Sequence, residues 1–350
     1  MEELNNKTLR IALDAMGGDF APQNEVRGAI DYFTEFKPKN VEIVFVGNEE
    51  KIKGAIRQSG VSEFNYTIKN ATEVVGMDDE PSSVIKKKKD SSLYLGIELH
   101  SNKLADAFVS TGNTGAVMAT ATLLLGRIKG VSRPTIGAFF PTLQNYPTLL
   151  LDVGATIDCK ARQLYEFAVM GSIYASQILD IDNPKTALLN IGEEKSKGNE
   201  ILQQARSMID DSQLNFIGNV EGGDILLGTA DVIICDGFTG NVILKFAESF
   251  LPFLKTKIKK FADKNIVNTL MVGLTVPTLK RVFKEFDYQE YGGVPLLGVN
   301  GVVIIGHGKS SPKAVMNMIK QAVNSIKRGV NEKIEHNLNI DKSQTTMEQN

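Results

Sequence analysis

Short apolar runs alternate with amphipathic stretches along most of this chain. The runs Arg10 to Leu13, Val41 to Val46, Phe64 to Ile68, Ala105 to Val109, Thr135 to Phe140, Thr148 to Asp152, Thr186 to Asn190, Asn215 to Ile217, Asp231 to Cys235 and Val302 to Ile305 read as strands. Helical spacing fills most of the gaps, most clearly from Asp19 and Pro22 to about Phe36, from Lys160 to Leu179 and from Ser311 to Lys333. Pro22 suits a first helical turn and Asp19 favours a helix N-terminus. Strands alternating with helices predict a mainly parallel sheet covered on both faces, an α/β fold in three α/β/α layers. No internal repeat and no Pro- or Ser-rich linker marks a cut, so residues 1–336 read as a single α/β domain. Residues 337–350 read as a polar, frayed tail.

Four strand ends carry the same chemistry. Asp14-Ala15-Met16-Gly17-Gly18-Asp19, Ser110-Thr111-Gly112-Asn113-Thr114-Gly115, Asp236-Gly237-Phe238-Thr239-Gly240-Asn241 and Gly306-His307-Gly308-Lys309-Ser310-Ser311 each follow a strand and open a helical stretch. Backbone N–H groups at such junctions bind anions. One turn of this kind is needed by any α/β protein, but four with matched residues point to one phosphate-handling crevice.

Composition narrows the classes. The 350 residues, 42% of them hydrophobic, suffice for a large core, and a net charge of -2 argues against a general nucleic-acid binder. Cys159 and Cys235 are the only cysteines, too few for a disulfide framework or a cysteine-based zinc site, which suits a reducing cytosol. Met1 to Lys7 lacks the apolar core of a signal peptide, and no run approaches the roughly 18 apolar residues of a membrane span. Residues 255–284 depart from the balance, with eight Lys or Arg against the single acid Asp263. Between the basic ends lies an apolar stretch that includes Leu270, Met271 and Leu274, the pattern of a membrane-surface element. A dimer-forming helix pair with a solvated lysine face reads equally from the same residues, and Gly273 and Pro277 are expected to break any single helix there.

Several motifs are missing. Gly308-Lys309-Ser310 fails as a P-loop because Val303 stands where its first glycine is required. There is no G-x-G-x-x-G after the first strand, no H-E-x-x-H, no G-x-S-x-G and no C-x-x-C. Asp14, Asp19, Asp152 and Asp158 are too scattered to suggest a metal centre, and turn-capping explains them more simply.

The ordered motifs Ile11 to Asp19, Val109 to Ala116, Leu151 to Ala155, Asn190 to Glu194, Lys197 to Glu200, Phe216 to Glu221, Cys235 to Val242, Leu297 to Gly301 and His307 to Ser311 resemble the PlsX family of bacterial phosphate acyltransferases from about Leu9 to Ile326. The resemblance implies transfer of a fatty acyl group from acyl carrier protein to inorganic phosphate for phospholipid synthesis. It also implies a homodimer and a fold akin to phosphotransacetylases and isocitrate/isopropylmalate dehydrogenase-like proteins; the missing motifs separately lead to the expectation of no cofactor and no metal. The family's catalytic lysine and asparagine fall on Lys197 and Asn241. Three positions depart from its pattern: Thr111 stands where Ala is frequent, Thr156 where Asn is usual, and Gly223 where an arginine is expected.

The chemistry suits these residues. Phosphate is already a nucleophile and a thiolate, with a pKa of roughly 8.5, is a fair leaving group, so neither a serine nucleophile nor a metal is required. The protein must hold phosphate against a thioester and stabilise the oxyanion. Lys197 can supply charge and Asn241 a directed hydrogen bond. Backbone groups around Gly17, Gly18, Gly112, Asn113, Thr114, Gly115, Gly237, Thr239 and Gly240 are candidates for phosphate, together with Asp14, Asp236, His307 and Ser310. Plainer roles stand beside these: Lys197 lies in a charged loop, Asn241 suits a helix cap, Asp14 and Asp236 suit turn braces, and Lys86 to Lys89 suits either a solvated face or a landing site for an acidic carrier. A phosphotransacetylase-like enzyme using a coenzyme A thioester, and a noncatalytic acyl or carrier-protein binding module, remain the alternatives. Work at the inner face of a membrane would suit a poorly soluble acyl phosphate product.

Overall fold

The computed structural model describes residues 7–61, 63–144, 146–285 and 292–347. In chain order the elements are β1 (Leu9–Asp14), α1 (Gln23–Phe36), β2 (Val41–Gly47), α2 (Glu49–Ser59), β3 (Tyr66–Asn70), α3 (Pro81–Lys87), α4 (Ser92–Ser101), β4 (Ala107–Ser110), α5 (Thr114–Leu124), β5 (Thr135–Phe140) and β6 (Thr148–Leu151). They continue with α6 (Ala161–Ile178), β7 (Thr186–Leu189), α7 (Glu200–Asp210), β8 (Phe216–Val220), α8 (Asp224–Leu227), β9 (Val232–Ile234), α9 (Gly237–Ala262), α10 (Ile266–Glu285), β10 (Val294–Leu297), β11 (Val302–Ile305), α11 (Pro312–Lys327) and α12 (Val330–Met347).

The strands form one sheet in the order β3-β2-β1-β4-β11-β10-β5-β6-β9-β7-β8. From β3 to β11 neighbours are parallel, as they are from β6 to β8. Antiparallel pairings join β11 to β10, β10 to β5 and β5 to β6. Three reversals leave the two parallel blocks running in opposite directions.

Side chains alternate across each strand, so β1 sends Leu9, Ile11 and Leu13 to one face and Ala12 to the other. One core runs unbroken along a whole face, from Val44 through Phe108, Ile305, Ile136 and Leu150 to Ile233, under α3, α4, α5 and α9. The opposite face is divided: α1, α2 and α11 cover the first block, and α6, α7 and α12 the second. This is the expected three-layer sandwich.

Three expectations change. The strand β10 (Val294–Leu297) is not among the strands expected from the sequence. The helix expected from Ser311 to Lys333 is two helices, because Gly329, with φ of 62°, turns the chain after α11. Residues 337–347 are not a frayed tail: α12 continues to Met347, and Val330, Ile334 and Leu338, spaced four apart, are buried in the second block's core.

Near the cavity described below, α9 and α10 form an antiparallel hairpin. Gly273 and Pro277 do not break α10. Pro277 removes one helical donor, and the carbonyl it would have met belongs to Gly273, which is exposed to water. Among the described residues no helix is long and apolar enough to cross a membrane.

Candidate active site

Three of the four turns converge on a cavity of about 350 Å³ where the two blocks of the sheet meet. Thr114 and Gly115 line it from the second turn, Asn241 from the third, and Gly306 and His307 from the fourth. Ile136, Ala138, Val153 and Leu244 supply apolar wall. The first turn stands behind the second and fourth. The Asp19 N–H donates to the Gly308 carbonyl at 2.8 Å, and a Cβ on Gly17 would lie 2.8 Å from the Gly112 nitrogen.

Buried hydrogen bonds explain the polar residues of these turns. Asp14, the last residue of β1, accepts the Ser110 hydroxyl at 2.7 Å and the Met16 N–H at 3.1 Å. Ser110 Oγ in turn accepts the Gly112 N–H at 3.0 Å. Burial pushes the Asp14 carboxyl above the usual carboxylate range, against the opposing pull of the Ser92 and Ser110 hydroxyls. Asp14 is therefore a brace. Asn113 is another: its oxygen caps α5 through the Ala116 N–H, and its amide nitrogen donates to the carbonyls of Gly76, Met77 and Asp79. That leaves the N–H groups of Thr114 and Gly115 for an anion, because helix geometry gives first-turn amides no internal acceptor.

In the third turn, Asp236 caps α9 by accepting both the N–H and the hydroxyl of Thr239, at 2.8 and 2.7 Å. The Gly237 N–H donates to the Thr156 carbonyl and the Gly240 N–H to the Asp236 carbonyl. The expectation that Gly237, Thr239 and Gly240 cradle phosphate through these amides is thus corrected, since all three are engaged inside the protein. The glycines serve close packing instead: a Cβ on Gly240 would lie 1.9 Å from the Asp152 carbonyl oxygen. Asp152 organises the neighbouring turn by accepting the N–H groups of Ile136, Ala155 and Thr156, and burial raises its carboxyl above the usual range. Thr156 acts there through its backbone, so its departure from Asn leaves these contacts intact. Asn241 does not cap the helix. It sits inside α9, with its side chain over Gly154 at the cavity wall.

In the fourth turn, the buried Ser310 hydroxyl accepts the His307 N–H at 3.1 Å, which makes Ser310 a brace. His307 Nδ1 accepts the Lys309 N–H at 3.2 Å, so in the neutral ring the proton resides on Nε2. His307 can therefore act as a donor in the cavity.

Lys197 is not brought into the cavity. It is exposed in the loop after β7, where its N–H donates to the Glu194 carbonyl and its carbonyl accepts from Asn190. Strands β7 and β9 are parallel neighbours, so the loop carrying Lys197 and the turn that opens α9 ahead of Asn241 leave the same edge of the sheet. Among the described residues the cation that lines the cavity is Lys245, bonded to Glu248 at 2.8 Å. Both share one face of α9 with Asn241, a spacing of four and seven that helical periodicity alone could have revealed. Gly223 borders open space, where a side chain would meet no atom within 4 Å. The thiols offer no nucleophile, as burial pushes Cys159 up to about 12 and raises Cys235 as well.

Comparison with known proteins identifies the family and the fold. Residues 9–333 match the model of a family described as fatty acid synthesis protein. The phosphate acyltransferase of Dictyoglomus turgidum is 46% identical over 332 residues, covering 95% of this chain and 98% of its own. That of Heliobacterium modesticaldum is 48% identical over 315 residues, covering 90% and 93%. In fold, the chain is similar to a phosphotransacetylase from Streptococcus pyogenes, with a TM-score of 0.63, 19% identity and coverage of 93% and 97%. A branched-chain phosphotransacylase from Enterococcus faecalis gives a TM-score of 0.57 at 13% identity, covering 91% and 99%. A cavity with helix-start amides at one wall and apolar side chains at another, on a chain this similar to named acyltransferases, places the protein in the PlsX family of phosphate acyltransferases.

Proposed function

We propose that the cavity transfers a fatty acyl group from the thioester of acyl carrier protein to inorganic phosphate. The observation that carries this reading is the meeting of the α5 helix start, Asn241 and His307 around a partly apolar cavity. The α5 amides hold phosphate against the thioester carbonyl carbon. A phosphate oxygen attacks, the carbonyl oxygen takes the electron pair, and Asn241 donates a hydrogen bond to it. Collapse breaks the C–S bond and expels the sulfur as a thiolate, towards which His307 Nε2–H donates a hydrogen bond. The proton the thiolate takes as free carrier protein departs is the one the attacking hydrogen phosphate gives up on becoming acyl phosphate. Ile136, Ala138, Val153 and Leu244 accommodate the apolar chain.

Lys197 acts in this scheme if the 191–199 loop carries its ammonium towards Asn241 when substrate is bound. Phosphate-dependent acyl phosphate formation, trapped with hydroxylamine in the parent and in Lys197→Ala and Asn241→Ala, tests the whole reading. Loss in both variants supports it. Full activity in Lys197→Ala removes the lysine from the chemistry and leaves Lys245 as the cation of the site. Turnover with acetyl coenzyme A but not with acyl carrier protein selects a phosphotransacetylase instead.

The carrier-docking surface we favour is Lys86, Lys87 and Lys89, all exposed. They belong to a segment whose first helical residue, Pro81, packs on Gly115 at the cavity. Lys88 is already engaged by Asp79. Assembly and membrane contact both fall to the α9–α10 hairpin. Phe238, Val242, Phe246, Phe250 and Phe253 form an exposed stripe along α9, about a third of a turn round the helix from its cavity-lining residues, which suits a second copy of the chain. At the far end, Ile266, Val267, Leu270, Met271 and Leu274 are exposed beside Lys259, Lys260 and Lys264, which suits an anionic membrane surface on the cytoplasmic side.

A further inference from the structure

Glu25 is a buried acid that the proposed reaction does not use. It lies in the first turn of α1 and is 1% exposed. Its Oε1 accepts the hydroxyl of Thr111, itself fully buried, at 2.8 Å. Its Oε2 is buried without a hydrogen-bond partner. A Cβ on Gly18 would lie 2.5 Å from Glu25 Oε1 and 2.7 Å from Thr111 Oγ1, so the first turn closes tightly over this pair.

Such a pair is a poor choice for stability alone. A buried carboxyl with one unmatched oxygen costs free energy that an apolar pair of similar size avoids. Burial accordingly raises the group, up to about 7. What the pair does provide is registry. Ser110 is tied to Asp14, Thr111 to Glu25, and Asn113 to the 76–79 loop. Each holds one residue of the turn from a different segment, and the cavity-lining residues Thr114 and Gly115 follow directly.

We propose that Glu25 is a positioning residue for the anion-binding start of α5, acting through the Thr111 hydroxyl. The inference rests on the reading of that helix start as the phosphate site. Neither Glu25 nor Thr111 lines the cavity, so neither touches phosphate. Their bond fixes the backbone from which the Thr114 and Gly115 amides are presented. Because those amides hold phosphate before any bond changes, their loss of alignment falls on phosphate affinity more than on turnover.

The test compares the parent with Glu25→Val, Thr111→Ala, the double variant, Glu25→Gln and Thr111→Ser. KM for phosphate and kcat are read from acyl phosphate formation, and folding from thermal melts. Glu25→Val and Thr111→Ala are expected to raise the phosphate KM about tenfold, the scale of one hydrogen bond, with kcat changed less than threefold. The double variant is expected to match either single variant. Glu25→Gln and Thr111→Ser, which keep an acceptor and a hydroxyl, are expected to stay within about twofold of the parent. Melts that shift while the phosphate KM stays constant would overturn the proposal, as would multiplied effects in the double variant or a Glu25→Gln as impaired as Glu25→Val. A parent that forms no acyl phosphate defeats the acyltransferase reading separately. Calorimetric titration with inorganic phosphate then decides the inference: weakened binding in Glu25→Val and Thr111→Ala supports it, and unchanged binding overturns it.

Discussion

The turn cluster and the α9–α10 hairpin answer to different constraints, although α9 belongs to both. In the cluster, Asp14, Ser110, Thr111 and Ser310 are nearly or fully buried; Ser110 is matched to Asp14 and Thr111 to Glu25 across segments far apart in sequence, and Ser310 to His307 within its own turn. In the hairpin, large apolar side chains face outward, with Phe246 70% and Leu274 84% exposed. The cluster closes on itself, whereas the hairpin displays apolar surface that only another surface can cover. The inward face of α9 carries Asn241, Lys245 and Glu248 to the cavity, while its outward face carries the phenylalanine stripe. One helix thus joins the chemistry to whatever covers the hairpin.

The contrast is broken most severely at Asn241. Asn241→Ala is expected to lower kcat by about 10²–10³-fold, the usual loss for one oxyanion donor, while the melt stays near the parent because Asp236 caps α9. Next comes Gly240→Ala, which forces a methyl group against the Asp152 carbonyl. Denaturant unfolding should show a loss of about 3 kcal/mol or more, as overpacking against backbone costs, with activity lost alongside stability.

Glu25 sets a pH dependence. Its carboxyl ionises near 4.5 when unfolded and about 7 when folded, so its contribution is intact below 4.5 and is lost as pH rises through 7. The difference amounts to roughly 3 kcal/mol. Unfolding of Glu25→Gln should therefore match the parent near pH 4 and exceed it in stability at pH 8. Equal stability at both pH values would show that Glu25 titrates normally.

The hairpin changes should be the mildest in the enzyme itself. Polar replacement of Leu270, Met271 and Leu274 is expected to release the protein from anionic vesicles, at about 2 kcal/mol for each buried side chain lost from the interface. Turnover of soluble substrate should stay within about twofold. Replacement of Phe246 and Phe250 by Ser should shift the mass seen by light scattering towards the single chain. Loss of turnover in the Phe246 and Phe250 variant would mean that the two faces of α9 are not separable, and in the Leu270, Met271 and Leu274 variant that α10 is coupled to the cavity.

Much of this was legible from the chain. The four turns were readable because strand ends followed by Gly, Asn, Ser and Thr have few other uses, and three of them meet at the cavity. What the residues could not disclose was direction. Nothing local tells Gly237 that its amide will be taken by Thr156 rather than by a ligand, and nothing in Glu25 announces that Thr111 will lie against it. The strand β10 was missed because Pro295 and the flanking glycines read as loop. The last helix was missed because Val330, Ile334 and Leu338 are sparse apolar positions in a polar stretch. Lys197 was singled out by resemblance alone, and its loop leaves the sheet beside Asn241 without placing the lysine in the cavity.

In the proposed reaction the helix-start amides and Asn241 act as one phosphate-dependent acyl-transfer site. The most direct test is formation of hydroxylamine-trappable acyl phosphate from long-chain acyl carrier protein, measured against phosphate concentration in the parent and in Asn241→Ala. Saturable, phosphate-dependent product in the parent, with a loss of about 10²-fold or more in the variant, is the expected result. Product formation that is independent of phosphate, or that Asn241→Ala leaves intact, would contradict it.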